Sequence, residues 1–87
     1  MKIVYHKRFE KQYKKLIDKD KEKANKALEI FINNPNDTKL NNHCLKGSLI
    51  GKKAISAAPN LRLIFEEFDD YALVIFLDLG KHNRVYE

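Results

Sequence analysis

The sequence predicts a single α+β domain in which a helical hairpin packs on one side of a small, mainly antiparallel sheet, in the order β-α-α-β-β-β. Apolar residues recur with helical spacing between residues 7 and 33, and they alternate with polar residues in the last third of the chain. The chain has 87 residues, of which 44% are hydrophobic, so it can form one modest core. We therefore assign residues 1–87 to one domain.

The first two predicted elements are a short strand from Met1 to His6 and a helix from Lys7 to Asp18. The strand is indicated by apolar residues within the first six positions, and it ends where the spacing becomes helical. Apolar residues in the helix recur every three or four positions beneath a lysine-rich face, at Phe9, Tyr13, Leu16 and Ile17. This pattern predicts an amphipathic helix.

A second helix is predicted to begin after a cap at Asp18 or Asp20 and to end near Asn33-Asn34-Pro35. Aspartate is a common helix cap, because its carboxylate accepts hydrogen bonds from the first backbone N–H groups. Proline cannot continue a helix and disfavours the helical conformation of the residue before it. The apolar stripe again has helical spacing, at Ala24, Ala27, Leu28, Phe31 and Ile32. The two helices form a hairpin.

The rest of the chain predicts a loop followed by three antiparallel strands. Residues 35–51 are polar and include two glycines, so we expect little regular structure there. The strands are predicted at Lys52–Ala57, Asn60–Phe68 and Tyr71–Leu79, and Asp69-Asp70 forms the turn between the last two. In the middle strand, alternation places Arg62 on the face opposite Leu61 and Leu63.

The charge distribution favours an anionic partner. The net charge is +5 and the pI is about 9.4, which suits a nucleic acid or an acidic protein segment. Between residues 35 and 65 a single acid, Asp37, accompanies five basic residues: Lys39, Lys46, Lys52, Lys53 and Arg62.

Composition also narrows the class of protein. The longest apolar stretch, Tyr71 to Leu77, is far too short to span a bilayer, and residues 1–3 do not open a signal peptide, so we expect a soluble, cytoplasmic protein. Cys44 is the only cysteine, which excludes an internal disulfide and a zinc site built from cysteine pairs. We expect no metal and no cofactor.

Three stretches in this order resemble the RelE/ParE superfamily of toxins, especially the YafQ-like mRNA interferases. They are His43-Cys44-Leu45-Lys46-Gly47, Pro59-Asn60-Leu61-Arg62-Leu63-Ile64-Phe65 and Gly80-Lys81-His82-Asn83-Arg84-Val85-Tyr86. The resemblance covers nearly the whole chain. It implies a microbial ribonuclease-like fold, ribosome-dependent cleavage of mRNA without a metal, inhibition of translation, and neutralisation by a cognate antitoxin. Three residues depart from the family pattern: Ser56, Asn60 and Asp78.

The resemblance implies four catalytic residues: His43, Arg62, His82 and Tyr86. Metal-free RNA cleavage needs a base for the 2′-hydroxyl, a cation for the phosphate and an acid for the leaving 5′-oxygen. Histidine titrates near neutral pH and can act as base or acid. Arginine offers a permanently charged fork for a phosphate. Candidate RNA-binding residues are Lys46, Lys52, Lys53, Asn60, Lys81 and Arg84.

Each candidate also has a structural interpretation. His43 can be a solvated loop residue, His82 a turn residue, and Tyr86 a buried anchor, and Arg62 can pair with Glu66 on the same strand face. Two other functions remain open: a ParE-like inhibitor that binds DNA gyrase without nuclease chemistry, and an inactive member that only binds antitoxin.

Overall fold

The computed structural model describes residues 1–81, which form a layer of two helices against a five-stranded sheet. The α+β prediction, with a helical hairpin on one side of a mainly antiparallel sheet, is confirmed. The elements in chain order are β1 (Lys2–Tyr5), α1 (Lys7–Lys14), α2 (Asp18–Asn33), β2 (His43–Cys44), β3 (Lys53–Ala58), β4 (Leu61–Phe68) and β5 (Leu73–Lys81), with single 3-10 turns at Thr38–Leu40 and Gly47–Leu49.

The strands lie in the spatial order β1-β5-β4-β3-β2. All neighbours are antiparallel except β1 and β5, which pair in parallel from Lys2 with Leu73 to Tyr5 with Phe76. The strand latest in sequence therefore lies inside the sheet, between the earliest strand and β4. A parallel pair needs a crossover connection, and the helical hairpin provides part of it.

The main core lies between the helices and one face of the sheet. At its centre Phe31 of α2 is fully buried, and its ring lies edge-on to the rings of Phe65 and Phe76, with centroids 5.0 and 5.3 Å apart. Phe9 of α1 also contacts Phe76, with ring centroids 5.5 Å apart. Tilted and edge-on contacts of this kind are the favoured arrangement of aromatic rings. The alternating apolar residues of β4 and β5 thus pack against both helical stripes.

The first helix is shorter than its apolar spacing predicts. It ends at Lys14, and the expected continuation to Asp18 is wrong. Ile17 adopts an extended conformation and is 65% exposed, because the chain turns there to enter α2. The predicted aspartate cap is also wrong: Ile17 holds the cap position without a side-chain hydrogen bond, and Asp18 and Asp20 lie in the first turn, where the helix dipole favours acids.

The segment from 35 to 51 is more regular than predicted. It contains strand β2, which pairs antiparallel with β3, and both 3-10 turns. The predicted β-α-α-β-β-β order therefore lacks one strand. A two-residue strand has no measurable alternation, so its pattern could not have been recognised.

The turn between β4 and β5 is built from Asp69, Asp70 and Tyr71, all with positive φ. Such backbone is costly for residues with a side chain, although aspartate tolerates it better than most. The carboxylate of Glu67 accepts a hydrogen bond from the Tyr71 backbone N–H at 2.9 Å, and the Tyr71 hydroxyl accepts one from Asn42 at 2.9 Å. These bonds hold the turn against the loop before β2.

Candidate active site on the helix-free face

The sheet face opposite the helices, which we call the helix-free face, carries both Arg62 and His43. Leu61 and Leu63 belong to the core beneath the helices, so Arg62 between them faces the other way, as predicted from alternation. His43 pairs with Ala54 of β3, whose side chain belongs to a second apolar cluster outside the main core. Residues paired across neighbouring strands share a face of the sheet.

The register also fixes the separation of the two candidates. Arg62 pairs with Ser56, two residues along β3 from the Ala54 partner of His43. Two strand spacings and two residue rises place their Cα atoms roughly 12 Å apart.

Arg62 is held by backbone carbonyls at the turn between β3 and β4. Its Nη1 donates to the carbonyl oxygens of Ala58 at 2.8 Å and Pro59 at 3.0 Å. Arg62 thus makes these hydrogen bonds with the backbone in place of the pairing with Glu66 that was the structural alternative for this residue. A guanidinium has five N–H donors, so Nε and Nη2 can bind a phosphate while Nη1 positions the group. On its other side Arg62 pairs with Gly80, which has no side chain to fill the adjacent space.

His43 is oriented by a backbone carbonyl. Its Nδ1 lies 2.8 Å from the carbonyl oxygen of Asn41. A carbonyl only accepts, so this hydrogen bond requires a proton on Nδ1. Asn41 has a left-handed φ of 49° at the end of a 3-10 turn, a conformation that asparagine tolerates. Asn41 was not selected from the sequence. The only indication there is an asparagine just before the extended segment that carries His43.

The loop between β2 and β3 packs on the helix-free face beside these residues. Leu45 and Leu49 cover Ala54 and Ile64, forming the second apolar cluster. The Leu45 N–H donates to the carbonyl oxygen of Lys52 at 2.9 Å, which continues the β2–β3 ladder into the loop. The cluster thereby fixes the strand that carries His43.

The candidate RNA-binding residues divide between the two faces. Lys46 is exposed and Lys52 is half-buried, and they flank the loop beside His43, while Asn60 is exposed in the turn that holds Arg62. Lys81 instead pairs with the core residue Leu61, and its Nζ lies 3.6 Å from Asp20 of α2. Lys81 thus lies toward the helix layer.

Lys53 also lies on the helix side of the sheet. It pairs with the core residue Phe65, and its Nζ donates to the Tyr71 hydroxyl at 3.2 Å and lies 3.6 Å from Glu67. The hydrogen bond to Tyr71 is the largest cause of the raised pKa of Lys53. Its contacts are those of a residue that holds the β4–β5 turn.

Comparison with known proteins identifies the family. A family model matches residues 1–87, and its description is "Bacterial toxin of type II toxin-antitoxin system, YafQ". This chain belongs to the YafQ toxin family. It is a toxin of a type II toxin-antitoxin system, and the resemblance to RelE/ParE toxins drawn from the sequence is confirmed.

Solved toxins share the fold over nearly the whole chain. YafQ from E. coli strain BL21(DE3) is 25% identical, with a TM-score of 0.81 and coverage of 98% of this chain and 97% of that one. The toxin in the E. coli DinJ-YafQ toxin-antitoxin complex is 25% identical, with a TM-score of 0.78 and coverage of 98% and 96%. The archaeal RelE-RelB complex from Pyrococcus horikoshii OT3 shares the fold at 17% identity, with a TM-score of 0.75 and coverage of 95% and 96%. No curated protein matches the sequence.

Three residues that the YafQ resemblance selected, His82, Arg84 and Tyr86, lie outside the described residues. Within residues 1–81, no three His, Cys, Asp or Glu side chains are grouped so that they could hold a metal ion. None of the helices in the same part of the chain combines the length and apolar character that a membrane crossing requires.

Asp78, a departure from the YafQ pattern, has a structural partner in α1. Its carboxylate lies 3.6 Å from Arg8 and accepts a hydrogen bond from Gln12 Nε2 at 3.4 Å. Gln12 Oε1 accepts a further bond from the Leu79 backbone N–H at 2.8 Å. Ser56, another departure, pairs directly with Arg62. Gln12 was also missed from the sequence, since its partners lie more than 60 residues away.

Proposed function

We propose that this toxin is a ribosome-dependent mRNA endonuclease and that the helix-free face holds its active site. The observation that carries the proposal is the placement of His43 and Arg62 on one face of the sheet, each oriented by a backbone carbonyl, in a chain of the YafQ family. Groups held in position before substrate binds need little rearrangement during the reaction.

The proposed chemistry divides among three residues. The Nε2 of His43 takes the 2′-hydroxyl proton, the 2′-oxygen attacks phosphorus, and the bond from phosphorus to the 5′-oxygen breaks, leaving a 2′,3′-cyclic phosphate. Arg62 stabilises the charge on the phosphate through Nε and Nη2. His82 donates a proton to the leaving 5′-oxygen. Tyr86 stacks on a base or contacts the phosphate, and Lys46, Lys52, Asn60 and Arg84 bind the RNA backbone.

The proposed partners follow from the family and from the charge of the chain. Solved E. coli YafQ is complexed with DinJ and archaeal RelE with RelB, so we propose a cognate antitoxin for this toxin. The net charge of +5 suits ribosomal RNA and message, to which a small basic protein binds through phosphates. The ribosome positions the message, and we place this activity in the cytoplasm.

The decisive experiment is induced expression in a bacterial host, with primer extension mapping cuts on a translated message and on the same message without a start codon. Wild type is compared with His43→Ala, Arg62→Ala and His82→Ala. Lys19→Ala is the matched control, because it removes an exposed cation from α2, in the helix layer of the protein. We expect cuts only under translation, and cleavage at least about 100-fold weaker in the three site variants.

Other outcomes identify the alternatives. Growth arrest without cuts, undiminished in His43→Ala and His82→Ala, would indicate a gyrase inhibitor. No arrest by a stably folded wild type would indicate an inactive member that binds antitoxin only. Equal cleavage by wild type and Arg62→Ala would overturn the assigned site.

A further inference from the structure

The hydroxyl of Tyr71 connects the β4–β5 turn to the segment that leads into His43. It accepts a hydrogen bond from the side-chain amide of Asn42, through Nδ2, at 2.9 Å. The same Nδ2 donates to the carbonyl oxygen of Pro35, also at 2.9 Å. An amide nitrogen has two N–H donors, so both are used. Asn42 thereby closes the loop of residues 35–42 on itself and fastens it to the turn.

The turn holds Tyr71 in a backbone conformation that few residues of its kind adopt. Its φ is 66°, in the left-handed region, and Asp69 and Asp70 before it both have a φ of 54°. A bulky aromatic residue is rarely found there, because its Cβ crowds the neighbouring backbone. Strain of this kind persists only where surrounding contacts fix it, and it is concentrated at functional sites. The backbone of Tyr71 therefore indicates a role beyond joining two strands.

Contacts with four residues fix the position of the Tyr71 hydroxyl. The Tyr71 backbone N–H donates to the carboxylate of Glu67 at 2.9 Å. The ring packs edge-on to Phe31 and at a tilt to Phe65, with centroids 5.9 and 6.3 Å away. Lys53 Nζ lies 5.1 Å from the ring centroid and donates to the hydroxyl at 3.2 Å. The hydroxyl is thus a preplaced acceptor for the loop.

A short path of bonds leads from this hydroxyl to the ring of His43. The peptide unit between Asn41 and Asn42 carries the carbonyl oxygen that lies 2.8 Å from His43 Nδ1. A peptide unit is planar, so anchoring Asn42 restricts the direction in which that oxygen points. Asn41 has a left-handed φ of 49°, and its carbonyl depends on such an anchor to keep its direction. Tyr71 therefore acts on His43 through Asn42 and one carbonyl group.

Tyr71 lies on the other side of the sheet from the proposed substrate. Its side chain packs against the main core beneath the helices. His43 belongs to the helix-free face, where the message is proposed to bind. The Tyr71 hydroxyl does not contact RNA bound there, so any effect of this hydroxyl on cleavage passes through the protein.

We propose that Tyr71 and Asn42 are positioning residues for His43. Their hydrogen bond fixes the Asn41 carbonyl, which keeps a proton of the His43 ring on Nδ1 and directs Nε2 toward the 2′-hydroxyl. The proposal rests on the proposed function, in which His43 is the base, and adds the residues that hold this base in its reactive orientation.

Two variants break the hydrogen bond from opposite ends. Tyr71→Phe removes only the hydroxyl and keeps the ring in the core, and Asn42→Ala removes the donor. Tyr13→Phe is the matched control, because it removes a tyrosine hydroxyl that also bonds to an asparagine, Asn25, at 2.8 Å, within the helix layer. Urea unfolding establishes that each variant is folded under the assay conditions, and Asn42→Ala decides if Tyr71→Phe does not fold.

Single-turnover cleavage of a ribosome-bound message at a series of toxin concentrations separates the rate at saturation from the concentration needed for half-saturation. We expect both variants to lower the rate at saturation roughly 10- to 100-fold and to leave the half-saturating concentration within about twofold, since a small displacement of a catalytic group slows the chemical step and not binding. The double variant should be no slower than the slower single variant, because both changes break one path.

Three outcomes of the cleavage assay overturn the proposal. One is cleavage by Tyr71→Phe at the rate of the Tyr13→Phe control. Another is a loss confined to the half-saturating concentration, which would indicate a contact with RNA. The third is an equal further loss when Tyr71→Phe is introduced into His43→Ala, because a residue that acts through His43 has no effect once that ring is removed.

The His43 ring gives a second readout that does not depend on cleavage. Long-range 1H–15N spectra at mildly alkaline pH show which ring nitrogen carries the proton, and comparison with His43→Ala assigns the signals. We expect the proton on Nδ1 in wild type and in Tyr13→Phe, and a mixture of both tautomers in Tyr71→Phe.

The two readouts separate failure of the positioning from failure of the proposed function. If wild type does not cut the message but Tyr71→Phe shifts the His43 proton, the proposed function is wrong and the positioning stands. An unchanged His43 spectrum in Tyr71→Phe overturns the positioning whatever the cleavage result.

Discussion

Arg62 contributes geometry as well as charge to the proposed reaction. We expect Arg62→Lys to lower cleavage about 100-fold, because an ammonium group cannot keep the carbonyl contacts at Ala58 and Pro59 while bridging two phosphate oxygens. Single-turnover cleavage of a ribosome-bound message measures the loss. A lysine variant as fast as wild type would reduce the role of Arg62 to a simple positive charge.

Lys53 and Tyr5 make the free energy of unfolding depend on pH in the alkaline range. The pKa of Lys53 is raised above its ordinary value of 10.5, chiefly by the Tyr71 hydroxyl, and burial raises the pKa of Tyr5 above 10.0. In both cases the folded state holds its proton more tightly than the unfolded state. The resulting stability is fully present below the unfolded pKa and is lost as pH rises through the folded pKa.

We therefore expect the free energy of unfolding to fall as the pH rises above about 10. Denaturant titrations at a series of pH values measure the decline, and Lys53→Met should show a shallower one because it removes one of the two groups. Stability that increases above pH 10.5 in wild type would contradict these assignments.

At the scale of elements, Gln12 links α1 to the part of β5 that extends beyond β1. Its side chain is the partner of the Leu79 N–H, which lies past the last β1–β5 pair at Phe76. We expect Gln12→Ala to cost about 1 to 3 kcal/mol of unfolding free energy, because a half-buried donor and Asp78 both lose a partner. Urea unfolding measures the change, with the exposed Lys11→Ala as the control; a loss no larger than the control's would contradict the link.

Local periodicity predicted most elements, because burial on one face of a helix or strand is recorded in the spacing of neighbouring residues. The orientation of Arg62 could be predicted for the same reason. The parallel pairing of β1 with β5 could not, since Lys2 and Leu73 are distant in sequence and nothing local specifies their contact. The early end of α1 was also hidden, because Leu16 and Ile17 continue the helical spacing beyond it.

The candidate site was predictable in its residue types and only partly in its geometry. The histidine and arginine could be selected by their chemistry and by resemblance. The carbonyl of Asn41 orients His43, and the Asn41 backbone there is left-handed. An asparagine permits this conformation but does not require it, so the sequence could not predict the contact. Lys53 remains a prediction as an RNA-binding residue, but its contacts with Tyr71 and Glu67 depend on strands that meet only in the folded sheet.

At the scale of the whole molecule, stability depends on the aromatic core around Phe31. We expect Phe31→Ala to cost about 3 to 5 kcal/mol, because it leaves a cavity among Phe65, Phe76 and Tyr71. A domain of this size has a total stability of only about 5 to 15 kcal/mol. Thermal and denaturant unfolding test this, with the exposed Ile32→Ala on the same helix as the control. Similar stabilities for the two variants would contradict the placement of the core.

The position of β5 between β1 and β4 also constrains how the protein is made. During synthesis β1 leaves the ribosome first but has no partner until β5 follows it, because Lys2 pairs with Leu73. Gly80, beside Arg62, belongs to that same late strand. A nascent chain therefore cannot complete the sheet or the proposed catalytic face while β5 is unfinished. The proposed catalytic face therefore forms only after β5 has been synthesised.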